Sequence, residues 1–296
     1  MNILLAMLAS FFWGTTYAVT KYTLADWPPL LLGALRALPA GLLLLAIKPN
    51  LPNRQHWPVL FRLGAINIAL FFSLLFVMAQ TLPSAISGVG MVSTPIFAMF
   101  FYWIVHKKRP TTVQFISGAV LILLAWLLFD PSHLSLSPIG LIAMVVAISC
   151  IVLGSSIIKT LAGKLHWWSI LCWQLIIGGT LLTIIASLHT MISISQYQTV
   201  LNNFSLLNGL GLAWLIVLNT AVAYTLYVWL LRKMTVVEFT FTSISNPIAG
   251  IIFGIALVNE SFSNYQYSLM ALMILTSLST PLFNSYNQRK QLNILM

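Results

Sequence analysis

Apolar residues run in ten long stretches, 3–24, 29–47, 58–79, 83–104, 111–129, 138–159, 168–188, 207–230, 235–258 and 265–285, and polar residues gather between them. A helix rises 1.5 Å per residue, so about 20 apolar residues cross the roughly 30 Å of hydrocarbon in a bilayer. The pattern predicts ten transmembrane helices joined as tight antiparallel hairpins. They use most of the 296 residues, which leaves no separate soluble domain. Two connections are longer, 48–57 and 190–208. The second is uncharged and is expected to hold a short interfacial helix.

The stretches repeat. Asn67, Pro95 and Gln114 recur 152 residues later as Asn219, Pro247 and Gln266, and the apolar residues between them align without a gap. Earlier in the chain the offset is 138, pairing Lys21 with Lys159 and Gly41 with Gly179. The difference of 14 residues falls in the long 190–208 connection. The halves, 1–137 and 138–296, each hold five spans. An odd number of spans forces them into the bilayer with opposite orientation. The expected fold is therefore all-α integral membrane, ten transmembrane helices as two inverted five-helix repeats. Such repeats hold a substrate near mid-membrane at their interface and alternate its access by rocking. The matched prolines Pro95 and Pro247 are expected to break their helices beside that site.

Composition narrows the class. Hydrophobic residues make up 59% and charged residues 6%, against about a quarter charged in soluble domains. The net charge of +10 does not point to nucleic acid, because of where it lies. With a cytoplasmic N-terminus, the inner connections hold Lys48, Arg54, Arg62, Lys107, Lys108, Arg109, Lys159, Lys164, Arg232, Lys233, Arg289 and Lys290. The outer connections hold Asp26, Asp130 and Glu260, with Lys21 the one base nearby. This is the positive-inside pattern, and it places both termini in the cytoplasm. The first stretch lacks a basic leader and a small-residue cleavage site, so it is taken as a retained span. Cys150 and Cys172 lie within spans, where they serve as small buried hydrophobes.

Certain runs resemble a known family. The first span, Phe12-Trp13-Gly14-Thr15-Thr16-Tyr17-Ala18-Val19-Thr20-Lys21, resembles the opening of EamA-type members of the drug/metabolite transporter superfamily. So does Leu35-Arg36-Ala37-Leu38-Pro39-Ala40 in the second span, and so does Pro247 followed by Glu260 and Gln266. The resemblance covers the whole chain. It implies a multi-pass carrier of the bacterial inner membrane, exporting amino acids, related metabolites or toxic compounds. Some relatives exchange sugar phosphates or nucleotide sugars. In one place the chain departs from the pattern: the acidic residue usual after the fourth span falls at Lys108, and only the second half keeps it, as Glu260.

A carrier must turn polar and aromatic groups inward, because such groups are costly against lipid. At helical spacing the first span offers Ser10, Trp13, Tyr17 and Thr20, and the fourth offers Ser84, Ser87, Met91 and Thr94. The ninth span places Ser243 and Asn246 where the fourth has Met91 and Thr94, and the eighth presents Thr220, Tyr224 and Tyr227. Ser84 and Ser87 are expected to serve close helix packing. Trp13, Tyr17, Met91, Thr94, Tyr224, Tyr227, Ser243 and Asn246 are the expected lining of a small-molecule site, together with Arg36.

Arg36 is the clearest charge within a span, seven residues into the second helix and about 10 Å down its axis. It either meets a substrate carboxylate or phosphate, or it snorkels, pairs with Asp26 or binds helix carbonyls. No Asp, Glu or His lies mid-span; Glu238 comes nearest. No phosphate-binding loop, catalytic triad or metal-ligand cluster occurs, so neither cofactor nor metal is expected. The expected partners are the lipid bilayer and a small-molecule substrate, with no nucleic acid. The leading expectation is an alternating-access exporter and not an enzyme. An exchanger of anionic metabolites using Arg36 and Lys21 is the alternative, and an integral-membrane transferase stands behind both.

Overall fold

The computed structural model describes residues 1–128 and 136–295, with side chains up to 279 and at Phe283. Asp130, Arg289 and Lys290, part of the charge pattern above, lie outside the described side chains. Among the described residues the elements are helices: α1 (Asn2–Thr23), α2 (Pro29–Ile47), α3 (Arg54–Thr81), α4 (Ser84–His106), α5 (Thr112–Leu128), α6 (Pro138–Leu161), α7 (Trp167–Thr190), α8 (Ile194–Asn202), α9 (Leu206–Leu230), α10 (Val236–Val258) and α11 (Asn264–Leu295). Among the described residues, eight of these, α1–α4, α6, α7, α9 and α10, are long and apolar enough to cross a membrane. Helix α5 is apolar but has 17 residues. The short α8 occupies the uncharged 190–208 connection, where a helix was expected.

Helix starts follow their local chemistry. Prolines open α2 and α6, where a missing N–H costs nothing. Ser205 with Asn208, and Thr235 with Glu238, form reciprocal caps at the starts of α9 and α10. The Glu238 carboxylate accepts the Thr235 N–H at 2.8 Å, so the acid nearest to a span interior is engaged in capping.

The helices assemble with α2 along α7, α1 along α10, α3 against α6 and α7, α4 against α10, and α5 against α11. Small residues allow the closest of these approaches. A Cβ at Gly14 of α1 would run into the Asn246 carbonyl and sit 2.8 Å from Ala249 Cβ of α10. One at Gly41 of α2 would stand 2.9 Å from the Ile176 backbone nitrogen of α7.

Departures from regular helix come in pairs at the 152-residue offset. Helix α3 widens into a π-turn over Gly64–Leu70, and α9 does so over Val217–Val222. Helix α4 tightens over Met91–Ser93, and α10 breaks between Thr242 and Ser245. Both breaks sit four residues before a proline, where the ring excludes the carbonyls of Met91 and Ser243 from normal bonding. Thr94 Oγ1 donates to the freed Met91 carbonyl at 2.6 Å, and the Asn246 N–H donates to that of Ser243 at 3.3 Å. Lys107 and Asn259, which end α4 and α10, both take φ 55°.

The helix ends form two layers. Lys48, Lys107, Lys108, Arg109, Lys164, Arg232 and Lys233 share one end, called the basic end below. There Lys159 Nζ donates to the carbonyls of Leu231 at 2.8 Å and Met234 at 2.9 Å. The far end holds Asp26, Lys21 and Glu260. The Glu260 carboxylate accepts the N–H groups of Ser84 at 2.6 Å and Ala85 at 3.0 Å, and meets Lys21 Nζ at 3.5 Å. It thereby satisfies the otherwise orphaned donors at the start of α4.

Candidate functional site

A cavity with about 590 Å³ of empty space, part of it open to the surroundings, lies midway along the bundle, walled by α1, α2, α3, α4, α6, α9 and α10. Eight of the nine expected lining residues meet there: Trp13, Tyr17, Arg36, Met91, Thr94, Tyr227, Ser243 and Asn246. The ninth, Tyr224, is displaced. It is fully buried behind the wall, in edge contact with Trp13 at 5.3 Å, Tyr227 at 5.6 Å and Phe72 at 5.6 Å. Both tyrosines follow the π-turn on the regular stretch Ala223–Leu230, where Tyr227 lines the cavity and Tyr224 supports it from behind.

The same π-turn organises the polar side of the cavity. In a regular α-helix Ala223 would bond to Asn219; here its N–H goes to Leu218 and Thr220. The Asn219 carbonyl instead accepts from Trp13 Nε1 at 3.1 Å and from Arg36 Nη2 at 3.1 Å. Arg36 Nε donates to Thr220 Oγ1 at 2.7 Å, and that hydroxyl donates to the Leu215 carbonyl at 2.8 Å. The guanidinium lies over the Phe72 ring, 4.4 Å from its centroid. The Asn219 side chain closes the network by donating to Thr16 Oγ1 at 2.6 Å.

The open question about Arg36 is thereby decided in part. It does not snorkel, being 1% exposed, and its partners are a helix carbonyl and a hydroxyl of α9, not Asp26. Its Nη1 is buried without a partner among the described residues. Across the cavity Asn246 Oδ1 is likewise buried and unpartnered. The other polar groups are mostly spent locally. Thr94, Thr240 and Ser243 return their hydroxyl protons to carbonyls of their own helices, and Ser155 shares a 2.6 Å hydrogen bond with Tyr227 Oη.

Aromatic rings form the rest of the wall. Trp13 contacts Tyr227 at 5.2 Å and Phe239 at 6.2 Å, and Tyr227 contacts Phe239 at 5.2 Å. Sequence reasoning missed Thr16, Phe71, Leu75, Ile151, Ser155, Phe239 and Thr240 as wall residues. Ser155 and Ile151 could have been reached from the repeat, since they lie 138 residues after Tyr17 and Trp13. The apolar members carried no signal separating a cavity face from ordinary packing. Ser84 and Ser87, expected to pack, are buried outside the wall, with Ser84 beside Gly250 and Gly254. Lys21 is held by Glu260 and is not part of the wall.

Comparison with known proteins places this architecture. The chain is similar to Protein PecM of Dickeya dadantii, 28% identical over 88% of this chain and 86% of that protein. It is 26% identical to the inner membrane transporter YedA of Escherichia coli K12, over 88% and 84% of the two chains. It is also 26% identical to the transporter sll0355 of Synechocystis, over 98% and 91%. A crystal structure sharing 14% identity superposes with a TM-score of 0.66 over 95% of this chain and 96% of its own, which supports the fold. The model of the EamA-like transporter family matches residues 1–129 and again residues 138–280. These matches set aside the membrane-transferase alternative. The chain is a multi-pass membrane transporter, not an enzyme, and belongs to the EamA-like transporter family.

Proposed function

We propose that this protein is a secondary transporter that exports small metabolites, such as amino acids or toxic compounds, across the inner membrane by alternating access. In this reading all ten long helices cross the bilayer as two inverted repeats, 1–137 and 138–296. Both termini are then cytoplasmic, and the basic end faces the cytoplasm. The observation that carries the reading is the central cavity, walled from both halves beside the two proline-linked breaks.

An asymmetry in packing supports alternation. Helices α1 and α10 are tightly joined, with Gly14 against Asn246 and with Ser245 Oγ donating to the Met7 carbonyl. Their counterparts at the repeat offsets, α6 and α4, meet sparsely, and the cavity wall runs between them through Met91, Thr94, Ile151 and Ser155. Together with the Glu260 contacts at the far end, this corresponds to a conformer closed to the outside. Rocking the halves would exchange the two interfaces.

The alternative, an exchanger of anionic metabolites using Arg36 and Lys21, finds less support, because Lys21 is already engaged by Glu260 away from the cavity. Export is tested by comparing extracellular metabolites of cells that overproduce the wild-type chain and the Trp13→Ala variant at equal membrane abundance. Selective loss of exported compounds in the variant is expected. Identical profiles, with and without the protein, would remove the export reading.

A further inference from the structure

Among the described residues, Arg36 is the only formally charged side chain in the cavity wall, and no acidic side chain accompanies it. A guanidinium carries five N–H donors. Here Nε and Nη2 are anchored on α9, while Nη1 stays buried and unpartnered. A buried charged donor without an acceptor is costly, so Nη1 is where an incoming acceptor gains most on this wall. The anchors are neutral, a hydroxyl and a carbonyl, so the positive charge is not cancelled within the protein. The facing wall is aromatic, from Trp13, Tyr227 and Phe239, and its one buried, unpartnered acceptor is Asn246 Oδ1.

Building on the transport reading, we infer that the cargo is a singly charged organic acid with an apolar or aromatic body. Its carboxylate completes the donor set of Arg36 at Nη1, its body lies against Trp13, Tyr227 and Phe239, and any N–H or O–H it carries can reach Asn246 Oδ1. One cation favours one negative charge. A phosphate dianion would enter with a charge uncompensated, and an organic cation would face Arg36 with no counter-acid. The position of Arg36, about 10 Å along α2, also sets the site away from lipid headgroups.

The test uses the full-length protein in phosphatidylcholine nanodiscs and four probes of similar shape: phenylacetate, phenylacetamide, phenethylamine and benzyl phosphate. Thermal unfolding is followed against millimolar concentrations of each. Phenylacetate should raise the midpoint saturably, with little response to the amide or amine and a weaker one to the phosphate. In Arg36→Gln the apparent Kd for phenylacetate should rise by at least about tenfold. Arg36→Lys should keep the preference for the acid at reduced affinity, since an ammonium cannot hold both anchors and the acid together. Should the glutamine variant not fold, the wild-type panel and the lysine variant decide the matter. The inference is overturned if amide or amine stabilises as well as the acid, if no probe shifts the wild type, or if Arg36→Gln responds unchanged. Acid binding without counterflow in proteoliposomes would instead sink the transport reading and leave the anion site standing.

Discussion

Lys107 and Asn259 end their helices in the same left-handed conformation, yet the residues that follow them carry opposite charges. After each, the backbone N–H turns back to the carbonyl six residues earlier, Lys108 to Tyr102 and Glu260 to Gly254, both at 3.1 Å. The geometry is shared and the chemistry is not. Glu260 reaches the start of α4 and Lys21, whereas Lys108 belongs to the basic run His106-Lys107-Lys108-Arg109. Of the two matching ends, the far one is closed by a carboxylate.

Glu260→Gln should loosen that closure. The amide keeps one acceptor but loses the charge that strengthens the bonds from Ser84 and Ala85 and the attraction to Lys21. Charge-assisted bonds of this kind contribute about 1.5–3 kcal/mol each when well formed. The Lys21 pair, partly exposed, contributes less. A cysteine at Ser87 should then react several-fold faster with an impermeant maleimide added from outside intact cells. An unchanged rate would show that Glu260 only caps the helix.

Two neighbouring tyrosines should respond oppositely to loss of the hydroxyl. Tyr227 Oη shares a 2.6 Å bond with Ser155, linking α9 to α6, while Tyr224 Oη is buried without a partner among the described residues. Tyr227→Phe is expected to cost about 1 kcal/mol, and Tyr224→Phe to be neutral or stabilising. Unfolding midpoints of the two variants in one detergent compare them directly. Combining Tyr227→Phe with Ser155→Ala should cost less than the sum of the single changes.

Gly14→Ala should damage the α1–α10 interface. The added methyl has no room against the Asn246 carbonyl and Ala249, and overpacking of this kind costs about 1–3 kcal/mol. The expected result is a lower unfolding midpoint and weaker transport. The reference is Gly163→Ala, which meets no atom within 4 Å but lies at φ +84° on the basic surface. That change should strain only its local turn. Equal effects on transport would argue against a special role for the α1–α10 contact.

Trp13→Phe should separate anchoring from lining. The indole N–H donates to the Asn219 carbonyl, which Arg36 also uses, and phenylalanine keeps part of the ring contact but not that donor. Arg36 retains its own anchors, so the variant should fold and keep a preference for its substrates while KM rises. A loss confined to kcat would instead place Trp13 in the conformational step.

Much of this was legible in the chain. Apolar runs specify helices and their lengths, because a bilayer leaves backbone polar groups no partner outside a helix or closed barrel. Pro95 and Pro247 marked the breaks, since a ring that excludes the carbonyl four residues back acts locally wherever the helix goes. Helical spacing pointed to cavity residues where a pair lies three or four residues apart, as Trp13 and Tyr17, Met91 and Thr94, and Ser243 and Asn246 do, and failed further along the same stripes, at Ser10, Thr20, Ser84 and Ser87. Tyr224 escaped that rule. It shares a helix face with Tyr227, and spacing alone does not say which of two neighbouring rings meets the cavity and which packs behind it.

What only the tertiary structure decided is which polar groups find each other. Arg36 could have snorkelled, paired with Asp26 or faced a cargo; packing of α2 against the widened turn of α9 gave it two neutral anchors and left Nη1 bare. The joining of Glu260 to Ser84 and Lys21, with sequence separations of 176 and 239, was equally beyond local patterns. By itself the sequence determined the helices, their breaks and the asymmetry of charge between the ends, because those follow from local backbone chemistry and from transfer into lipid. The partners of buried charges depend on three-dimensional approach, and that was settled only when the helices came together.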